Sequence, residues 1–285
     1  HTNGAVSHLK VAACLDTACS SATITSIDQG DSSSNSVGFY IAIAIGADDN
    51  PIITHYNLSV GDVKLVACSN TTCTSATITA VYTNGAWGND VGQWSSVAIG
   101  SDNNPIISFY GGGGYTNGLM IANCANPTCT SSTVDALDEG SGRQSSIAIG
   151  ADGNPVISYA QDSDWGELGV PDNALKVAAC ADTACSSTTI TSLGVLLTQA
   201  DWERGTQIAI GTDDKPVIAF TDSDGNLGLA ECSATDCSTG ATISTIADAG
   251  TSVSLAIRDS DNARIITYLD PGNAMSLKIA VLSAP

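Results

Sequence analysis

"SSIAIGADGNPVISY", Ser145–Tyr159, carries the unit from which the architecture can be read. It reads as two short apolar strands joined by an Asp-Gly-Asn turn, with Pro155 opening the second strand. The pattern recurs as "IAIGADDNPIITHY" from Ile43, "VAIGSDNNPIISFY" from Val97 and "IAIGTDDKPVIAFT" from Ile208. A fifth copy, "LAIRDSDNARIITYL" from Leu255, departs from it: Arg258 replaces the glycine and one residue is inserted. We name these strands A and B.

Out of phase with them runs strand C: "LKVAAC" at Leu9, "VKLVAC" at Val63, "LMIANC" at Leu119, "LKVAAC" at Leu175 and "LGLAEC" at Leu227. Strand D follows each cysteine loop, as "ATITSID", "ATITAVY", "STVDALD", "TTITSLG" and "ATISTIA". Val, Ile and Thr dominate all four strands, and helical periodicity is absent. Four strands recurring about every 55 residues mark a β-propeller blade. The chain is therefore expected to be all-β: a single domain over 1–285 forming a five-bladed propeller of four-stranded antiparallel blades. Repeats fall near 36–91, 92–141, 142–203, 204–249 and 250–285, with 1–35 closing the ring. Small residues in strand A (Ala44, Gly46, Ala98, Gly100, Ala148, Gly150, Ala209, Gly211) suit a crowded inner strand.

Ten cysteines form five C-x4-C pairs: Cys14/Cys19, Cys68/Cys73, Cys124/Cys129, Cys180/Cys185 and Cys232/Cys237. Tetrahedral zinc usually takes C-x2-C spacing and histidine partners, and the chain has only three histidines. We read local disulfides that staple the C–D hairpins in exposed loops toward the rim. Such bonds imply an oxidising, extracellular or cell-surface setting after removal of a signal peptide. Lys and Arg number 9 against 29 Asp and Glu, a formal net charge of −20. That field disfavours nucleic acid and anionic membranes, and the longest apolar run is too short to cross a bilayer. The pattern "SSIAIGADGNPVISY … LKVAACADTAC" resembles repeats of secreted bacterial and archaeal β-propeller proteins. The resemblance implies a fold and an extracellular setting, and no reaction.

Candidate sites are few. The turn residues Asp48, Asp102, Asp152, Asp213 and Asp261 could ring a cation, but an aspartate bonding its own turn explains the recurrence better. "DSDGN" offers Asp222, Asp224 and Asn226 as calcium ligands, without the distant Glu of a calcium loop; the acidic stretch from Asp162 is similar. His1 with His8 could chelate copper, and His55 stands where other B strands carry Phe or Tyr. Asn57 and Asn70 begin glycosylation sequons in expected exposed loops. Carboxylates that recur by blade, with no G-x-S-x-G elbow, argue against an enzyme.

One strand is left over. "LKIAVL", Leu277–Leu282, repeats strand C without cysteines, so the chain has six C strands for five blades. This strand is read either as an extra edge strand or a tail folded over the ring, or, through Leu277, Ile279, Val281 and Leu282, as an assembly strand donated to a second copy. The expectation is a non-enzymatic, self-assembling extracellular structural subunit, forming a homo-oligomer or filament. The alternative is a carbohydrate-binding propeller, with Trp87 and Trp202 as glycan platforms.

Overall fold

A computed structural model describes residues 7–30, 36–83, 91–112, 118–161, 173–197, 205–272 and 275–284. His1, Trp87, Trp165, Trp202 and the acidic stretch from Asp162 lie outside them. Every regular element among the described residues is a β-strand, and the fold is a five-bladed β-propeller of antiparallel blades. By contacts the chain forms two compact units, His1–Ala136 and Leu137–Pro285.

In the first unit, β1 (Leu9–Cys14) and β2 (Ala22–Asp28) make a two-stranded hairpin. One blade follows as β3 (Val37–Ile45), β4 (Pro51–Asn57), β5 (Asp62–Cys68) and β6 (Ala76–Tyr82). The next is β7 (Val91–Ile99), β8 (Pro105–Gly111), β9 (Gly118–Cys124) and β10 (Ser132–Glu139). The second unit holds β11 (Arg143–Ile149), β12 (Pro155–Ala160), β13 (Ala174–Cys180) and β14 (Thr188–Leu196) as one blade. Another comprises β15 (Gln207–Ile210), β16 (Pro216–Thr221), β17 (Leu227–Cys232) and β18 (Ala241–Ala247). The last sheet has three strands, β19 (Thr251–Arg258), β20 (Ala263–Asp270) and β21 (Ser276–Leu282).

The leftover strand thus has a place. β21 pairs with β20 in continuous register from Arg264↔Leu282 to Asp270↔Ser276. A short connection keeps it near β20, so pairing within the chain has little loop entropy to overcome. The hairpin β1–β2, expected to complete the last blade, is a sheet of its own.

Strand faces explain the packing. Val63, Leu65 and Ala67 of β5 bury against Val97, Ile107 and Phe109 of the following blade. Fully burying each larger side chain of this kind stabilises by about 1.5–3 kcal/mol. At Gly92 (φ +97°) an added Cβ would lie 2.4 Å from Val63 Cβ and 2.6 Å from its backbone N, so no other residue fits. The tightness of Gly46, Gly100, Gly150 and Gly211 has a more local origin than an inner-strand position. In each, a Cβ would come within 2.7–3.0 Å of the turn aspartate's Oδ1. At Arg258 the strands run on by one further pair, Arg258↔Ala263, and the guanidinium pairs with Asp261.

All five C-x4-C pairs are disulfides, as their spacing implies. The loops are largely exposed, but in four of the five the second cysteine turns inward. Cys73, Cys129, Cys185 and Cys237 are each at most 3% exposed, and of the second cysteines only Cys19 faces solvent. The reason is packing against a neighbouring sheet. Cys73 shares a core with Leu9 and Val11 of β1, Cys129 with Ala67 of β5, and Cys237 with Val177 and Ala179 of β13. The second cysteines also adopt left-handed backbone conformations. Their φ is 51° at Cys19 and Cys73, 50° at Cys129, 56° at Cys185 and 55° at Cys237. Such a backbone is costly for a side chain and persists where its surroundings enforce it.

Candidate functional site

Within each blade the residues opposite one another on strands B and C are fixed by register. His55 faces Lys64, and Tyr159 faces Lys176. Both pairs meet an aspartate. In the first unit Lys64 Nζ lies 3.2 Å from Asp28 Oδ2, and His55 Nε2 lies 3.3 Å from the same oxygen. The latter contact lacks hydrogen-bond alignment. Because Gly38 N–H donates to His55 Nδ1, the neutral ring carries its proton on Nε2. Burial holds the imidazole below its ordinary value, against the opposing pull of Asp28. Burial also works to raise Asp28, yet the Gly30 N–H and Lys64 outweigh it and keep the carboxyl below its usual range. In the second unit Tyr159 donates to Asp138 at 2.7 Å, and Lys176 stands 3.0 Å from the same oxygen. Burial, reinforced by Asp138, pushes the Tyr159 phenol far above its ordinary value.

The last sheet holds a looser version, in which Tyr268 faces Lys278 and Lys278 Nζ stands 4.0 Å from Asp270. In the two remaining blades the same positions are apolar. Phe109 faces Met120, and Phe220 faces Gly228, where a Cβ would strike the ring at 2.3 Å. His55 and Tyr159 carry no exposed surface, and the polar arrangement is found at three separate sheets. We assign these clusters to the scaffold.

The turn aspartates are likewise committed. Asp48 accepts the Asn50 N–H at 3.1 Å and its side-chain amide at 2.7 Å, which lowers its pKa. Asp102 and Asp152 do the same with Asn104 and Asn154. Asp222 uses its carboxylate to accept the N–H groups of Asp224 and Asn226 and the Asn226 amide. Among the described residues, no three His, Cys, Asp or Glu gather into a group that could hold a metal ion. Asn57 is corrected from an exposed loop to the buried end of β4, because its side chain turns in to accept the Ser59 N–H. Asn70 sits half-buried in its disulfide loop, bonded to Thr72 and Thr74.

One junction in the second unit differs from all of these. Arg264, at the start of β20, is 3% exposed and places Nη2 2.6 Å from Glu231 Oε1 of β17. Its Nη1 donates to the Asn262 carbonyl at 2.6 Å, while its Nε–H finds no acceptor among the described residues. Beside them, in the β15–β16 turn, Lys215 Nζ lies 3.3 Å from Asp213 Oδ2. These four residues line a cavity of about 360 Å³, with Pro216 and Val217 as an apolar wall.

Sequence reasoning missed this site, although the signal was present. Glu231 stands where the other cysteine-bearing C strands have Ala13, Ala67, Asn123 and Ala179. Arg264 pairs with Ile257, the register place that Pro51, Pro105, Pro155 and Pro216 hold in the other B strands. Lys215 stands where the first three turns have Asn. Three separate departures from the repeat converge on one cavity.

No protein-family model matches the chain, and no curated protein matches it. Solved structures do. An α-L-arabinofuranosidase from Lactobacillus brevis is 10% identical over 86% of this chain and 90% of its own, with a TM-score of 0.55. An endo-arabinase from Bacteroides thetaiotaomicron VPI-5482 is 13% identical over 87% of this chain and 94% of its own, TM-score 0.50. The polysaccharide lyase Uly1 is 12% identical over 90% of this chain but only 60% of its own, TM-score 0.56. At such identity the likeness is one of fold. It nonetheless corrects the expectation of a non-enzymatic, self-assembling subunit, since this architecture is shared with enzymes that act on glycans. The assembly-strand argument goes as well. Leu277, Ile279 and Val281 are exposed, but the strand that carries them and Leu282 is hydrogen-bonded along its own sheet. The fold and its disulfide-bearing blades agree with the expected propeller repeats.

Proposed function

We propose that this protein is a carbohydrate-active enzyme of the glycoside hydrolase type, acting through the cavity lined by Asp213, Lys215, Glu231 and Arg264. The observation that carries the reading is the convergence of the three repeat-breaking charges on that cavity. Glycoside hydrolysis needs two carboxyl groups, one beside the developing oxocarbenium ion and one to move a proton to the leaving oxygen. Glu231 suits the first role: Arg264 takes one carboxylate oxygen and fixes the group, leaving the other for substrate. Asp213 supplies the second carboxyl group, half-exposed in its turn beside Lys215. The fold likeness to arabinan-processing propellers supports a glycan substrate, and the five disulfides support an extracellular setting.

The test is release of reducing sugar from arabinan, xylan, polygalacturonate and aryl glycosides. Wild type is expected to hydrolyse at least one of them, and E231Q to lose at least about 100-fold while remaining folded at the assay temperature. No release across the panel overturns the reading, and full activity in E231Q removes the cavity from it.

A further inference from the structure

Resting on that reading of the cavity, we infer that its ligand is an uncharged saccharide and that uronate-bearing or sulfated glycans are rejected. The charges in the cavity come as closed pairs. Arg264 is matched by Glu231 and Lys215 by Asp213, so no cation is left over for an anionic ligand. A carboxylate or sulfate entering here would lie beside two carboxylates that already occupy both cations. At longer range the net charge of −20 repels polyanions before they arrive.

What the cavity does offer is donors and acceptors side by side. Arg264 lines the cavity as a donor, its guanidinium held in place by Glu231 and the Asn262 carbonyl. Lys215 is a second donor, and the carboxylates of Glu231 and Asp213 each have an oxygen not committed to their cation. Adjacent sugar hydroxyls, each both donor and acceptor, complement that alternation. Pro216 and Val217 supply an apolar wall for the C–H face of a ring. About 360 Å³ is near the lower end for ligand pockets and suits one or two sugar units.

The full chain is titrated calorimetrically with xylo-oligosaccharide, arabino-oligosaccharide and oligogalacturonate at low and high salt. A neutral oligosaccharide should bind at least tenfold more tightly than oligogalacturonate, with the difference shrinking as salt rises. R264M should weaken neutral binding at least tenfold. Because R264M alters a buried pair, T242W provides a second variant: Thr242 is an exposed lining residue, and indole there blocks the cavity without touching the core. Equal or tighter oligogalacturonate binding overturns the inference, as does the absence of neutral binding or indifference to both variants. Neutral binding without hydrolysis would sink only the hydrolase reading. Hydrolysis of acidic glycans alone would sink only this inference.

Discussion

Two matching places in the molecule are filled by opposite chemistry. In the first unit, Ala67 of β5 and Pro105 of β8 are both buried and apolar. In the second, the positions equivalent by register are Glu231 of β17 and Arg264 of β20, joined at 2.6 Å. Apolar residues already satisfy the fold at this location, so the ion pair is not required by it. Desolvating such a pair usually cancels most of its attraction, and replacing it with well-packed apolar groups is often neutral or stabilising. A device that adds little stability and appears in one junction calls for another explanation, and function is the one we favour. The buried Asp28–His55–Lys64 and Asp138–Tyr159–Lys176 clusters teach the converse: polar groups that recur by blade belong to the scaffold.

The contrast is tested most severely by erasing it. The double variant E231A/R264L makes both positions apolar, as they are in the first unit. It should abolish sugar release, by about 1,000-fold or more, while the melting temperature stays level or rises. Activity surviving in a stable double variant would leave the ion pair without a function. Next in size is Arg264→Ala alone. It strands Glu231 and empties space around it, and should cost about 2–3 kcal/mol, discounted for the 26% exposure of the glutamate side chain. Chemical denaturation reads this directly, and adding E231A should recover much of it.

A smaller effect concerns the scaffold clusters. His55 has a folded pKa below its unfolded value, so the unfolded chain takes up the proton first. Its stabilising contribution is present above about pH 6.5 and is lost as pH falls below that. Asp28, also depressed, adds a loss in the same direction at lower pH, beginning near the ordinary carboxylate range. Stability should therefore fall by up to about 1.4 kcal/mol per pH unit below pH 6.5. H55F, which copies Phe109, should flatten that slope above pH 5; a slope unchanged in H55F would assign it elsewhere. The smallest effect is expected from K215N, which restores the turn seen at Asn50, Asn104 and Asn154. Its ion pair is about 42% and 46% exposed, so stability should move by no more than about 0.5 kcal/mol. Sugar release should nevertheless fall, since the cavity loses a cation.

Sequence alone suffices for the blade. The period of about 55 residues, the Asp–Asn turns and the C-x4-C loops are each local, and each recurs, so one chain displays several copies of the same solution. Disulfide pairing was legible for the same reason, five residues being too short a span to leave much choice. That their second cysteines turn inward is not legible, because Cys73, Cys129 and Cys185 are covered only once the chain has packed. What happens between blades belongs to the tertiary structure. Glu231 and Arg264 lie in successive sheets, and Asp28 reaches His55 and Lys64 across a hairpin boundary, so no local pattern joins them. The use of β21 belongs there too, because a strand count cannot say which edge a strand will join. Repetition names the positions of a blade, but side chains from different blades meet only when the sheets pack face to face.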